Sequence, residues 1–276
     1  MPRISGLFLY PVKSCRGFAV SAAEIDALGL VGDRRFLIVD ESGKFLTQRT
    51  HPRMAQISTA LSATTLTLSA ESAGAIEVPR LPDPTAPLRR VTIWKHADLQ
   101  AEDCGPAVAA WLTQFLGVPC GLVRIGPAFT RDVLKKAAQP GDLLTFADAA
   151  PLLIVSEASV AHLNDRIVEN QGEPVTMDRF RPNVVVTNCA PFAEDTWPSV
   201  RLGSAVTLRG AGPSIRCIVT TTDQLTGERG KEPLRTLATF RRVPDEPTSV
   251  YFGANFINES KHGTIRVGDA IEVAGK

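Results

Sequence analysis

Cys217 follows Arg216 in the stretch SIRCIVTTT, an apolar run closed by three threonines, and a Gly-rich charged loop, DQLTGERGK, comes directly after it. A cysteine beside a cation suits the thiolate that soft metals bind, while the same residue in an apolar run also reads as a small hydrophobe of the core. Three more stretches join basic or polar residues to backbone breakers. YPVKSCRG offers Lys13, Ser14 and Arg16, GDRRF offers Asp33, Arg34 and Arg35, and FRPN offers Arg181 and Asn183. Each falls where a loop meets a strand, the usual place for a site. Arginine grips phosphate through paired N–H bonds and lysine as a point charge. Together they describe a pocket for a phosphate-bearing anion next to something that wants sulfur. Taken singly, KSCRG is also a solvated turn, GDRRF an exposed strand start, and in FRPN the proline alone pushes Arg181 out of helical space. Asp148, in FADAAP, reads as a turn residue.

The elements that must position these residues are mostly strands. ISGLFLY, RFLIVD, TLTLSA, VTIW, NVVVT and TIRVGDAIEV are short, rich in β-branched or aromatic residues, and bounded by Gly, Pro, Asp or Asn. Ser42-Gly43 turns a hairpin between Val39 and Phe45. Three helices are expected: from Pro106 to Gly117, from a Ser156 cap through Ile167, and from Pro233 through Phe240. RLGSAVTLRG and IRVGDAIEVAG echo each other as two Gly-marked barrel corners. VPRLPDPTAPLRR reads as a long surface loop, and TRDVLKKAAQPGDL as polar and irregular.

In 276 residues, 30 basic side chains balance 29 acidic ones to a net charge of +1. That balance lacks the basic footprint of nucleic-acid or anionic-membrane binding, so neither partner is expected. The five cysteines form no CxxC pair, which argues against a disulfide framework, a zinc ribbon or an iron–sulfur cluster held by this chain. The N-terminal apolar stretch breaks at Pro11, and no apolar run reaches the roughly 20 residues that cross a bilayer. A reducing, cytoplasmic setting is expected.

LYPVKSCRG, GDRRFLIVD, LLIVSEASVAHLN, FRPNVVV, EDTW, RCIVTTTDQLTGERGKEPLRTL and GTIRVGDAIEV, in that order along the chain, resemble the MOSC-domain molybdoenzymes, those similar to the mitochondrial amidoxime-reducing component and its bacterial relatives. The resemblance implies a mainly β chain with helices, of the α+β class. A β-rich, barrel-like MOSC N-terminal domain would fill residues 1–120 and a MOSC β-barrel residues 121–276, with molybdenum cofactor (molybdopterin) between them. It implies that Cys217 is the protein ligand to molybdenum, its deprotonated form favoured by Arg216. Lys13, Ser14 and Arg34 fall where the family contacts the pterin and its phosphate, with Arg181, Asn183 and Arg216 in the same cavity. Asp148 matches an acidic position near the metal, for proton delivery or water positioning, and Asn255 falls where some members place a tyrosine. The implied activity is a detoxifying reduction of small N-oxygenated compounds (hydroxylamines, amidoximes, N-hydroxylated bases) by oxygen-atom transfer. Its electrons come from an external flavin or iron–sulfur protein. No pyridoxal phosphate site is expected.

The chain departs from that pattern in three places. Ala149 and Ala150 stand where amidoxime-reducing members carry hydroxyls, and Ile215 replaces the serine that commonly precedes Arg-Cys. Three donors to the cofactor are missing, at roughly 1 kcal/mol each. Neither the C-terminal ferredoxin-like domain of some relatives nor the targeting and membrane segment of the mitochondrial ones is expected. Other readings use the same residues. Cys217 would carry a persulfide or ready-made cofactor for delivery elsewhere, or would act as a hydrolase nucleophile with His51, His96, His162 or His262 as base. A plain binding role would leave Lys13, Arg34 and Arg181 pointing apart into solvent.

Overall fold

Arg3–Leu9 buries Ile4, Leu7 and Leu9 in one core, the step from Ile4 to Leu7 crossing a bulge between Ile4 and Gly6. In the computed structural model, which describes residues 1–275, this strand lies inside a sheet built mainly from the second half of the chain. The order of that sheet is Ile271–Val273, Ser199–Leu202, Val206–Arg216, Glu246–Asn258, Leu152–Ser156, Val184–Thr187, Arg3–Leu9 and Phe18–Val20, with Arg242–Val243 against Glu246–Asn258. Its ladders are antiparallel except for Leu152–Ser156 beside Val184–Thr187. That parallel pair needs a crossover, which α2, Glu157–Glu169, supplies. The protein is mostly β, with 40% strand and three α-helices among the described residues, the α+β class expected.

The chain leaves the large sheet after Phe18–Val20 and enters three smaller ones, the first made of Ala22–Asp26 with Gly29–Leu30 and, from the far end of the chain, Gly263–Arg266. Phe36–Asp40, Cys120–Arg124, His96–Asp103 and Leu88–Ile93 form a four-stranded sheet, and Ser58–Leu61, Thr65–Ala70 and Gly74–Pro79 a meander. Helix α1, Pro106–Leu116, starts at its proline, ends at Gly117, and packs Val108, Leu112 and Phe115 into the core they share. The boundary expected at 120/121 falls at the start of Cys120–Arg124, whose ladder to Phe36–Asp40 keeps that strand with the first segment.

The large sheet buries Ile4, Leu7, Ile154, Val184, Leu208 and Phe256 on one side. On the other, Leu163 of α2 and Leu237 of α3, Leu234–Phe240, pack with Val155, Phe180 and Phe252. Ser156 caps α2 as expected, its Oγ accepting from Ser159 N–H at 3.0 Å, a bond type worth about 1 kcal/mol. At the two echoing bends Gly203 and Gly268 adopt φ of 58° and 95°, a region closed to most side chains. No helix among the described residues is long and apolar enough to cross a membrane.

Candidate functional site

Because Arg3–Leu9 pairs with Val184–Thr187, the loop after it, carrying Lys13 and Ser14, lies beside the segment before that partner, carrying Arg181 and Asn183. The end of Val206–Arg216 closes the same space. A cavity of about 400 Å³ results, lined by Lys13, Ser14, Arg34, Asp148, Arg181, Asn183, Arg216, Cys217 and Asn255. The residues that the resemblance assigned to the site are therefore in one place, while Arg16 turns to the Gln224 carbonyl, Arg35 to Asp26, and Asp33 lies behind the wall on Arg34 and Tyr10. Among the described residues eight non-glycine residues have positive φ, and four of them line this cavity: Ser14 (68°), Arg34 (47°), Trp94 (53°) and Arg181 (56°). Such backbone costs of order 1 kcal/mol or more per residue and collects at functional sites.

One wall is cationic. The guanidiniums of Arg34 and Arg181 lie 4.3 and 4.4 Å from the centre of the buried Tyr10 ring. Arg34 donates to Asp33 Oδ2 at 2.5 Å and to the Arg181 carbonyl at 3.1 Å, while Asp33 Oδ1 accepts from Tyr10 N–H at 2.9 Å. Burial pushes the Tyr10 hydroxyl up to about 12, against the pull of Arg181 and Arg34. Arg216 donates to the Phe180 carbonyl at 2.7 Å and Ser214 Oγ at 3.2 Å, leaving its buried Nε–H without a partner among the described residues. Burial lowers it to about 10, with Cys217 and Asp148 opposing.

The opposite end holds the carboxylate. Lys13 Nζ donates to Asp148 Oδ1, which also accepts from Trp94 Nε1 at 2.8 Å. Asp148 opens onto the cavity, whose walls take enough water from it to raise its carboxyl, but Lys13, then Arg49 and Trp94, hold it far below the usual carboxylate range. Burial pulls Lys13 down, with Asp148 opposing. The backbone leading into Asp148 is held by Arg131, which is buried and donates to the Thr145 and Ala147 carbonyls at 2.7 and 2.6 Å. The irregular segment after residue 130 thus contributes one fixed strut.

Cys217 sits on extended backbone (φ −128°, ψ 178°) ahead of a 3-10 turn, Ile218–Thr221. Thr220 donates to the Cys217 carbonyl through N–H (3.1 Å) and Oγ1 (3.0 Å), which gives the first threonine of the motif its role. The Cys217 Sγ accepts from Arg49 Nη2 at 3.1 Å. Arg49, not Arg216, is the cation hydrogen-bonded to the sulfur, because successive side chains on extended backbone diverge. Burial drives the other thiols away from reactivity: Cys15 and Cys104 are pushed up to about 12, and Cys120 and Cys189 are raised.

The two asparagines are walls and straps. Asn183 Oδ1 accepts from Leu153 N–H at 3.2 Å and its Nδ2 donates to the Phe8 carbonyl at 3.4 Å. Asn255 Nδ2 reaches the Pro213 carbonyl at 3.5 Å. Ala149, Ala150 and Ile215 line the cavity, and Ser214 places a hydroxyl there one residue early. Among the described residues no histidine lines the cavity, so the Cys–His hydrolase lacks its base. The sequence reading missed Arg49, Trp94, Lys135 and Ser214. Arg49 lies in an ordinary-looking FLTQRTH, and Trp94 closes VTIW, where an aromatic residue reads as strand.

Residues 1–119 match the MOSC N-terminal beta barrel domain and residues 142–272 the MOSC domain. The chain is 36% identical to mitochondrial amidoxime-reducing component 1 of Mus musculus, across 99% of this chain and 82% of that one. It is 34% identical to mitochondrial amidoxime reducing component 2 of Homo sapiens (97% and 82%) and 33% identical to the molybdenum cofactor sulfurase of Danio rerio (97% and 34%). The chain belongs to the family of MOSC-domain proteins that includes the amidoxime-reducing components. Those components are named as mitochondrial, in contrast to the cytoplasmic expectation.

Proposed function

We propose that this chain holds molybdenum cofactor in the 400 Å³ cavity and reduces N-hydroxylated compounds, with electrons from an external flavin or iron–sulfur protein. The observation that carries the reading is the meeting of one thiol, Cys217, with Arg34, Arg181 and Arg216 around a single cavity. The donor set fits the group. A soft sulfur suits a metal that already has sulfur ligands, guanidiniums suit a phosphate, and the unpartnered Arg216 Nε–H is a buried donor awaiting an acceptor. Cys217 would ligate the metal, and Lys13, Ser14, Arg34, Arg181 and Arg216 would face the pterin and its phosphate. The names of the amidoxime-reducing relatives support the reaction class.

When bound, the cofactor supplies the two-electron step in which the N–O bond of an N-hydroxyl group breaks and, with two electrons and two protons taken up, the products are the N–H compound and water. The chain's residues bind, orient and manage protons. Asp148 is ionised, so it accepts hydrogen bonds from a substrate N–H or a water rather than delivering a proton itself. Its Oδ1 takes both Lys13 and Trp94, and among the described residues no bond to Oδ2 competes for that position. Trp94 and Ile215, each about half exposed at the cavity, give an apolar substituent a surface to cover.

The test uses protein from a host that makes the cofactor, with reduced viologen as donor. Benzamidoxime turnover is expected in wild type and lost in Cys217→Ala. Equal rates, or a sulfane-sulfur adduct on Cys217 in place of molybdenum, would overturn the reading.

A further inference from the structure

We infer that Arg229 is a positioning residue for Cys217, acting through Arg49; the inference rests on the cofactor reading above. The Gly-rich loop folds back on itself through Asp223 N–H to Glu228 O (2.7 Å) and Gly230 N–H to Thr221 O (3.0 Å). Its outer arm then carries Arg229 across to the first half of the chain. There Arg229 Nη2 donates to the carbonyls of Gln48 and Arg49, the latter at 2.7 Å. The loop itself is fixed by Arg16 on the Gln224 carbonyl (2.7 Å), Arg179 on Asp223 (2.8 Å) and Gln48 on the Gln224 side chain (3.0 Å).

With its backbone held, Arg49 places its guanidinium 4.5 Å from the centre of the Trp94 ring and donates to Cys217 Sγ at 3.1 Å. Among the described residues neither Arg49 nor Arg229 forms an ion pair with a carboxylate. No carboxylate among the described residues is bonded to the guanidinium beside the sulfur, whose hydrogen bond goes to Cys217 while its charge also acts through space on Asp148. A loop residue twelve positions downstream of the cysteine thus orients the donor at that cysteine's sulfur. An N–H bond to a ligating thiolate draws electron density from sulfur and stabilises the reduced metal, raising its potential.

The experiment compares wild type, Arg49→Met, Arg229→Ala and Arg229→Lys, purified from a cofactor-making host and checked for fold by circular dichroism. Mediated potentiometric titration followed by electron paramagnetic resonance reads the molybdenum couple. The potential is expected to fall in Arg49→Met, to fall by a smaller step in Arg229→Ala, and to recover in part in Arg229→Lys, which keeps a cationic donor on a shorter stem. A second readout, on the cofactor-free form, is the rate of iodoacetamide labelling of Cys217 at fixed pH, followed by peptide mass spectrometry. Severalfold slower labelling is expected in both Arg49→Met and Arg229→Ala. Arg229→Ala matching wild type in both readouts would overturn the inference. Should wild type hold no molybdenum, the cofactor reading fails, and the labelling rates alone decide Arg229. Should Arg229→Ala fail to fold, Arg229→Met, which keeps the stem and removes the donors, decides, with a lowered potential and slower labelling expected and wild-type values contradicting.

Discussion

Lys13 and Asp148, 135 residues apart, form an ion pair whose two ends differ: the lysine side chain is 6% exposed and the aspartate 54%. Losing one partner should therefore not equal losing the other. Asp148→Ala leaves a buried ammonium unpaired, a change that costs about 3 kcal/mol in comparable settings. Lys13→Met leaves a carboxylate that water can reach, and should cost less than about 1 kcal/mol. In Asp148→Ala the folded lysine titrates below its unfolded value, so the folded state binds fewer protons and stability rises with pH. Urea unfolding at neutral pH and near pH ~10 should show the Asp148→Ala deficit shrinking on the alkaline side; equal losses in both variants would contradict this.

Gly17 closes the turn under Tyr10, where an added Cβ would meet the Tyr10 ring at 2.4 Å and the Leu9 carbonyl at 2.5 Å. Gly17→Ala should displace the ring that supports Arg34 and Arg181, lowering both melting temperature and molybdenum content. Gly230→Ala, where an added Cβ meets nothing within 4 Å, is the comparison. Wild-type metal content in Gly17→Ala would refute the support role of Tyr10.

Ile215 stands in the cavity wall about half exposed. Ile215→Ser should restore a hydroxyl worth roughly 1 kcal/mol, or about fivefold in cofactor dissociation. Pterin fluorescence released on dilution measures it, and faster release than wild type would contradict the assignment.

Glu194 is buried against the start of α2, its Oε1 accepting from Ser156 N–H (3.0 Å) and Ser159 Oγ (2.8 Å). Burial raises its carboxyl above the unfolded value, against those hydrogen bonds. Over the interval between the two values the folded state binds more protons, so stability falls as pH rises through it. Glu194→Gln keeps the acceptor without the ionisation. Its thermal stability should match or exceed wild type at neutral pH, with the advantage vanishing near pH ~4; a neutral-pH loss above about 1 kcal/mol would argue against it.

Local pattern made most elements legible. Alternation marked Thr65–Ala70, apolar residues ahead of Pro11 marked Arg3–Leu9, and caps marked the helices at Pro106 and Ser156. The motifs, read together, named the residues of the cationic wall, the carboxylate and the thiol. What they did not reveal depends on distant pairing. Arg49 reaches Cys217 across 168 residues, and no periodicity encodes that. Arg216 looked like the sulfur's cation because it is adjacent in sequence, yet extended backbone sends it to Phe180 and Ser214. Asn183 looked like a ligand donor, although its oxygen and one N–H join the backbones of Leu153 and Phe8. Nor does alternation tell that the first strand pairs with Val184–Thr187 and so assembles the cavity.

Molybdenum K-edge absorption on cofactor-loaded protein counts the sulfur atoms bonded to the metal. Wild type should show one more sulfur neighbour than Cys217→Ala, the difference being the Cys217 thiolate. The same sulfur count in both would mean that the metal is held without this residue.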